Sequence, residues 1–208
     1  NDFHKRVYFM ILNSKPKIYL FNVFLGLLIF FVLVIFRLPN FLNPQPLTSD
    51  EAFQASQILS LMNGDGFFFY FDGERYAGIF YGLTAIPFFW IFGVGTLAYK
   101  LPGTLFYALN ILSTYYLVKK IQPTAALTVV LLMIFSSPVV LAISTHNWPL
   151  GLTCFLGNLI FLNFLKIKET GGSLLRPVFF LGFFMGFSIY TYTYSILYIG
   201  TIAILFVL

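Results

Sequence analysis

Charged residues and cysteine are both scarce in this chain of 208 residues. Only 9% of the residues are charged and seven are acidic, whereas 59% are hydrophobic and 21% are aromatic. This composition excludes an ordinary soluble globular domain and predicts an integral membrane protein. The single cysteine, Cys154, excludes a disulfide framework and a cysteine-rich metal site within the chain.

The net charge of +5 would suit a nucleic-acid ligand if the basic residues formed one face. The twelve Lys and Arg residues instead occur in short clusters between apolar runs, which is the pattern that orients membrane proteins. We therefore expect the lipid bilayer, and no nucleic acid, as a partner of this chain.

A basic segment precedes the first long apolar run. Four Lys and Arg residues come before residues 18–36, a nearly unbroken apolar stretch of nineteen residues. A helix of that length crosses the roughly 30 Å of bilayer hydrocarbon, and its basic flank predicts a cytoplasmic N-terminus. A signal peptide shares this layout, but no small-residue cleavage site follows at residues 37–39, so an uncleaved first helix is the better interpretation.

The acidic residues are concentrated between residues 37 and 78. Five of the seven lie there, namely Asp50, Glu51, Asp65, Asp72 and Glu74. Thr48-Ser49-Asp50-Glu51 fits a capping box, and Asn63-Gly64 fits a left-handed C-cap. The sequence therefore predicts a helix from Thr48 to about Met62 that lies along the membrane surface on one apolar face, formed by Ala52, Ala55, Leu59 and Met62.

Residues 79–95 are ambiguous, because they are mostly apolar but contain Pro87 and three glycines. If this segment spans the bilayer, five of the twelve basic residues lie inside and seven outside. If it is re-entrant or interfacial, nine lie inside and three outside. The positive-inside rule favours the second arrangement, so we interpret residues 37–96 as one extracytoplasmic loop with surface and re-entrant helices.

The remaining apolar runs predict four crossings, over residues 97–118, 125–143, 149–165 and 178–194. Lys100 would then extend toward water at the outer end of its helix. The expected fold is an all-α polytopic membrane protein with about five to six transmembrane helices in a single domain over residues 1–208. Because the chain begins at Asn1 and ends in a short apolar run, we expect it to be the N-terminal part of a longer module.

This topology brings three distant polar segments to one extracytoplasmic face. They are the acidic loop, the segment with His146 and Asn147, and the tyrosines Tyr190, Tyr192 and Tyr194. Polar groups at a membrane face are often functional, and a lipid-linked polar substrate would need such a site. We therefore predict the functional site on this face.

Several short motifs follow one another along residues 37–150. An acidic pair opens a surface helix, and a Gly-Asp turn, a Tyr-x-Gly segment and a Lys-Leu-Pro entry into the next helix come after it. In this chain these motifs are Asp50-Glu51, Gly64-Asp65, Tyr76-Ala77-Gly78, Ile91-Phe92-Gly93 and Lys100-Leu101-Pro102. In this order and spacing the chain resembles the GT-C type membrane glycosyltransferases, a group that includes protein O-mannosyltransferases and aminoarabinose transferases.

The resemblance implies transfer of a sugar from a polyprenyl-phosphate donor to a lipid, glycan or protein acceptor on the extracytoplasmic side, with inversion at the anomeric carbon. By match to the family's first acidic motif, Asp50 is expected to be the catalytic base and Glu51 its positioning or metal-binding partner. The expected substrate-binding residues are Arg75, Tyr76, His146, Asn147 and Tyr192.

A divalent metal is an open alternative for the same site. Many relatives carry a second acidic residue where this chain has Thr145-His146-Asn147. Glu51 and His146 are the residues that would bind such a metal, which would stabilise the departing phosphate. The sugar and the subfamily also stay open.

Simpler interpretations exist for each of these residues. Glu51 fits a capping box without any catalytic role, His146 fits an interfacial histidine, and the tyrosines fit an aromatic belt. For the whole chain, the alternatives are a transporter or flippase of a lipid-linked or small polar substrate, and a non-catalytic membrane scaffold. Transport ranks lower because the sequence shows no internal repeat and no carboxylate inside a predicted span.

Overall fold

The structure, a computed structural model, describes residues 24–39, 42, 46–66, 68–135, 146–147, 149–171 and 174–207. These residues are mostly helical and all-α in class, with one small β-hairpin. The helices are α1 (Phe24–Pro39), α2 (Ser49–Asn63), α3 (Phe80–Leu83), α4 (Ile86–Phe92), α5 (Thr96–Ile121), α6 (Ala126–Phe135), α7 (Pro149–Thr170), α8 (Leu175–Thr191) and α9 (Ile196–Val207). The strands β1 (Tyr70–Phe71) and β2 (Glu74–Gly78) pair in antiparallel fashion.

Helix α2 begins and ends where its capping signals predict. The Glu51 amide donates to Thr48 Oγ1 at 3.2 Å and the Thr48 amide donates to Glu51 Oε2 at 3.1 Å, which confirms the capping box. Gly64 ends the helix at a φ of 88°. Of the predicted apolar face, Ala55 is buried and Leu59 and Met62 pack against the core, whereas Ala52 is exposed. The buried face of the helix also includes Glu51, Gln54 and Ile58. A carboxylate of α2 therefore points into the protein.

Residues 79–95 do not form one long helix. They fold as α3 and α4, which have four and seven residues, and Gly93 ends α4 at a φ of 78°. The hairpin before them was not among the sequence-based expectations. Its turn contains Asp72-Gly73, a common hairpin signal, and Gly73 adopts a φ of 81°. Phe71, Ile79 and other buried residues of this region pack against α2 in one apolar core.

Helix α5 packs against α6 and α7, and α7 packs against α8. One polar cluster joins α5 to α7: Asn158 Nδ2 lies 2.9 Å from Asn110 Oδ1, 3.0 Å from Ser113 Oγ and 2.8 Å from Thr114 Oγ1. Polar contacts of this kind between apolar helices fix their mutual register.

Among the described residues, one helix is long and apolar enough to cross a membrane, namely α7 with 22 residues. Helix α5 is longer, with 26 residues, but more polar, and α1, α6, α8 and α9 are apolar but shorter. Helices α5 and α7 extend past the ends of the predicted crossings at residues 97–118 and 149–165. Residues 136–143 of another predicted crossing, and residues 1–23, lie outside the described residues.

Candidate functional site

The carboxylate of Glu51 is the centre of the candidate site. Its side chain is fully buried. Oε2 lies 2.9 Å from Nδ1 of His146 and accepts a hydrogen bond from the Thr48 amide, while Oε1 accepts one from the Asn147 amide at 3.3 Å. A buried carboxylate is tolerated only when donors or positive charge surround it. Glu51 thus connects the beginning of α2 to the segment that precedes α7.

A glycine on α5 permits the close packing of this segment. A Cβ built on Gly103 would lie 2.0 Å from the carbonyl oxygen of His146 and 3.3 Å from Cα of Asn147. No other residue type allows the two backbones to approach so closely. The contact between α5 and residues 146–147 therefore holds His146 and Asn147 against Glu51.

Lys100 belongs to the same buried cluster. The expectation that it extends toward water is wrong, because Lys100 is only 3% exposed. It lies within electrostatic range of Glu51, and a buried ammonium group is stabilised by a buried carboxylate.

A cleft of about 200 Å³ opens beside this cluster, lined by Asp50, Gln54, Tyr76, Tyr81, Pro149, Leu150 and Tyr192. Asp50 is exposed, and its Oδ1 accepts a hydrogen bond from Ser49 Oγ at 3.3 Å. Asp50 stands in the first turn of α2, where an acidic side chain interacts favourably with the helix dipole. Asp50 therefore presents a negative charge to the cleft, whereas the adjacent Glu51 does not.

The hairpin and the end of α8 form one wall of the cleft. The backbones of Ala77 and Tyr192 form an antiparallel bridge, and the rings of Tyr76 and Tyr192 meet edge to face with centroids 5.9 Å apart. A Cβ on Gly78 would lie 2.5 Å from the carbonyl oxygen of Tyr190, so glycine is needed for this docking. The tyrosine pair is thereby placed opposite the N-terminal end of α2.

Asn147 carries a buried amide with unsatisfied hydrogen bonds. The residue is 0% exposed, and neither Oδ1 nor Nδ2 has a hydrogen-bond partner within the described part of the chain. Each unpaired buried polar group costs roughly 1–3 kcal/mol, and native proteins rarely retain one without a reason. Pro149 and Leu150, two and three residues further on, line the cleft. Asn147 is therefore a candidate contact for a polar group of a ligand.

The donor set does not fit a resident divalent metal at Glu51 and His146. Both carboxylate oxygens of Glu51 already contact nitrogen atoms, and one of these atoms is Nδ1 of His146. Across the ranges that the structure describes, no group of three His, Cys, Asp or Glu side chains could hold a metal ion. In this geometry Glu51 contacts His146 and the backbone amides of Thr48 and Asn147.

The structure brings most of the sequence-predicted site residues together, in two layers. Asp50, Tyr76 and Tyr192 line the cleft. Glu51, His146 and Asn147 form the buried layer next to it. The side chain of the remaining candidate, Arg75, lies outside the described residues.

Several residues of the site were missed by sequence reasoning, among them Gln54, Tyr81, Lys100 and Gly103. Gln54 follows Asp50 by four positions on α2, and this helical spacing could have identified it. Tyr81, Lys100 and Gly103 have no comparable local signal, because their roles depend on contacts between distant segments.

Comparison of this chain with protein-family models, with curated proteins and with solved structures gives no match. The GT-C resemblance therefore depends on the order of the motifs in the sequence. Function has to be argued from the geometry of the site.

Proposed function

We propose that this chain is a membrane glycosyltransferase of the GT-C type, which transfers a sugar from a polyprenyl-phosphate donor to an acceptor hydroxyl or amine. The observation that carries the proposal is that two carboxylates adjacent in sequence differ in exposure. Asp50 lines the cleft, and Glu51 is buried beside it. One carboxylate is accessible to a substrate, while its neighbour fixes the helix end that presents it.

The proposed reaction uses Asp50 as general base. The acceptor oxygen or nitrogen attacks the anomeric carbon, its proton passes to the Asp50 carboxylate, and the bond from that carbon to the phosphate oxygen breaks. The polyprenyl phosphate leaves with the bonding electron pair, so the configuration at the anomeric carbon inverts. A carboxylate in hydrogen-bond reach of the acceptor accelerates such a step by about 10²- to 10⁴-fold.

The other cleft residues would bind the substrate. Tyr76 and Tyr192 offer apolar ring faces together with hydroxyl groups, which suits the mixed surface of a sugar. The side-chain amide of Asn147, which has no hydrogen-bond partner among the described residues, would bind a polar group of the substrate. Arg75, next to Tyr76 on β2, is the candidate cation for the donor phosphate.

The same proposal includes a multi-pass membrane topology with a cytoplasmic N-terminus and an extracytoplasmic cleft. Large apolar side chains are exposed on several helices, including Trp90 at 76%, Leu127 at 63%, Phe179 at 67% and Leu197 at 70%. Soluble monomers rarely expose contiguous apolar surface on this scale, whereas lipid chains would cover it. The basic residues at the ends of α5 and α7 fit the cytoplasmic side.

The test is sugar transfer by the full-length protein reconstituted in sealed liposomes, with a panel of radiolabelled polyprenyl-phosphate sugars and with lipid, glycan and peptide acceptors. The wild type is compared with Asp50→Asn, which keeps the size of the side chain but cannot accept the proton. Asp72→Asn is the matched control, because Asp72 is an exposed carboxylate in the hairpin turn and Asn-Gly is equally suited to that turn.

We expect transfer by the wild type and by Asp72→Asn, and loss of transfer by a folded Asp50→Asn protein. Full activity of Asp50→Asn would keep the enzyme but remove Asp50 as its base. Absence of transfer by the wild type across the whole panel would overturn the glycosyltransferase proposal and leave the transporter or scaffold interpretation.

A further inference from the structure

Five exposed cations gather at the end of the helices far from the cleft. They lie near the C-terminal ends of α5 and α7 and in the first turn of α8, and we call them the basic end: Lys119, Lys120, Lys166, Lys168 and Arg176. Gly103, which lies in the buried cluster beside the cleft, and Lys119 are sixteen residues apart on α5. At the rise of an α-helix this spacing separates the two ends by about 24 Å.

The basic end has little negative charge of its own. Lys120 Nζ pairs with Glu169 Oε2 at 3.0 Å. Glu169 is the only acidic residue in the sequence after Glu74. Five cations therefore share one carboxylate, so most of their charge is directed at solvent or at a ligand.

Each of the three helices repeats one arrangement here, with an aromatic ring beside a cation four residues away. The distances from the cation to the ring centroid are 5.3 Å for Lys119 and Tyr115, 5.4 Å for Lys168 and Phe164, and 5.8 Å for Arg176 and Phe180. In every pair the ring lies one turn closer to the middle of the bundle, although α8 runs opposite to α5 and α7. Apolar side chains beside the cations are also strongly exposed, with Leu175 at 84% and Ile121 at 66%.

Helix capping does not explain this arrangement. Cations at the C-terminal ends of α5 and α7 complement the helix dipole, but Arg176 lies in the first turn of α8, where the dipole disfavours a cation. An external anion would stabilise all five cations regardless of helix direction. An amphipathic anion would in addition cover Leu175 and Ile121.

We propose that the basic end binds the headgroups of anionic phospholipids. Lys and Arg side chains would bind the phosphate diester, and the adjacent aromatic and aliphatic side chains would contact the upper acyl chains. Such an interaction anchors the ends of α5, α7 and α8 in the cytoplasmic leaflet. It rests on the membrane topology proposed above, but not on sugar transfer.

The experiment measures lipid binding to the full-length purified protein by native mass spectrometry. Phosphatidylglycerol and phosphatidylcholine with identical acyl chains are titrated in the same detergent. The test variant is K166Q/K168Q/R176Q, and the matched control is the charge-conserving K166R/K168R/R176K. Because all three side chains are exposed, we expect both variants to keep the thermal stability of the wild type.

Each cation near an anionic lipid contributes about fivefold to affinity. We therefore expect the neutralised variant to bind phosphatidylglycerol about 100-fold more weakly, with phosphatidylcholine binding unchanged and the charge-conserving control like the wild type. Equal affinity of the wild type for the two lipids would overturn the proposal. So would a preference for phosphatidylglycerol that is as strong in the neutralised variant as in the wild type, because the lipid would then bind away from these three cations.

Discussion

Replacing Gly103 by alanine tests whether the contact between α5 and residues 146–147 organises the site. In an unobstructed helix interior this change stabilises the folded protein by roughly 0.5–1 kcal/mol, because alanine loses less backbone entropy on folding than glycine does. At Gly103, however, the new methyl group would lie 2.0 Å from the carbonyl oxygen of His146. The backbones must then separate by more than 1 Å to reach ordinary contact, and overpacking of this kind costs roughly 1–3 kcal/mol.

The net expectation for Gly103→Ala is that the free energy of unfolding falls by up to about 2.5 kcal/mol. Gly182→Ala on α8 is the matched control, because within the described part of the chain no side chain and no other segment lies within 4 Å of the added carbon, so only the gain in helix propensity applies. The assay is thermal unfolding of both proteins in the same lipid nanodisc, combined with hydrogen exchange at the Asn147 amide, which donates to Glu51. We expect Gly103→Ala alone to unfold at a lower temperature and to exchange this amide faster. Equal behaviour of the two variants would refute the role assigned to the contact.

Three further substitutions test the same architecture through the free energy of unfolding in denaturant. Glu51→Gln removes the buried charge beside His146 and should cost roughly 3–5 kcal/mol; an unchanged midpoint would show that Glu51 does not hold the cluster together. Thr48→Ala removes the N-cap of α2 and should cost about 1 kcal/mol, with Thr48→Ser close to the wild type. If alanine and serine behave alike, the cap contributes nothing. Asn158→Leu removes the contacts from α7 to three polar side chains of α5 and should cost about 0.6–1.7 kcal/mol; a more stable variant would contradict the role given to this cluster.

Local signals in the sequence are enough to place helix α2. Thr48 and Glu51 stand at the spacing of a capping box, and Gly64 can adopt the left-handed conformation that ends a helix, so the bounds follow from neighbouring residues. Neighbouring residues do not predict that Asp50 is exposed at the cleft while Glu51 is buried. Which carboxylate turns inward depends on the donors at residues 146–147, almost one hundred residues later.

Long-range contacts also explain the other departures from expectation. The sequence shows only that Lys100 lies near a helix end, which predicts that it extends toward water; its burial is visible only in the folded chain. The docking of the hairpin on α8 depends on the absence of a side chain at Gly78, where Tyr190 approaches. A single sequence shows glycines but not the segments that pack on them.

The most direct test of the proposed function is the initial rate of sugar transfer by Asp50→Asn and Asp72→Asn, measured in parallel in sealed liposomes with the donor that the wild type accepts. If Asp50 is the base at the cleft, its substitution lowers the rate by about 10²- to 10⁴-fold. The Asp72 substitution leaves the rate within about twofold of the wild type, since surface changes away from a site have small effects. Equal rates for the two variants would contradict the assignment of Asp50 as the base.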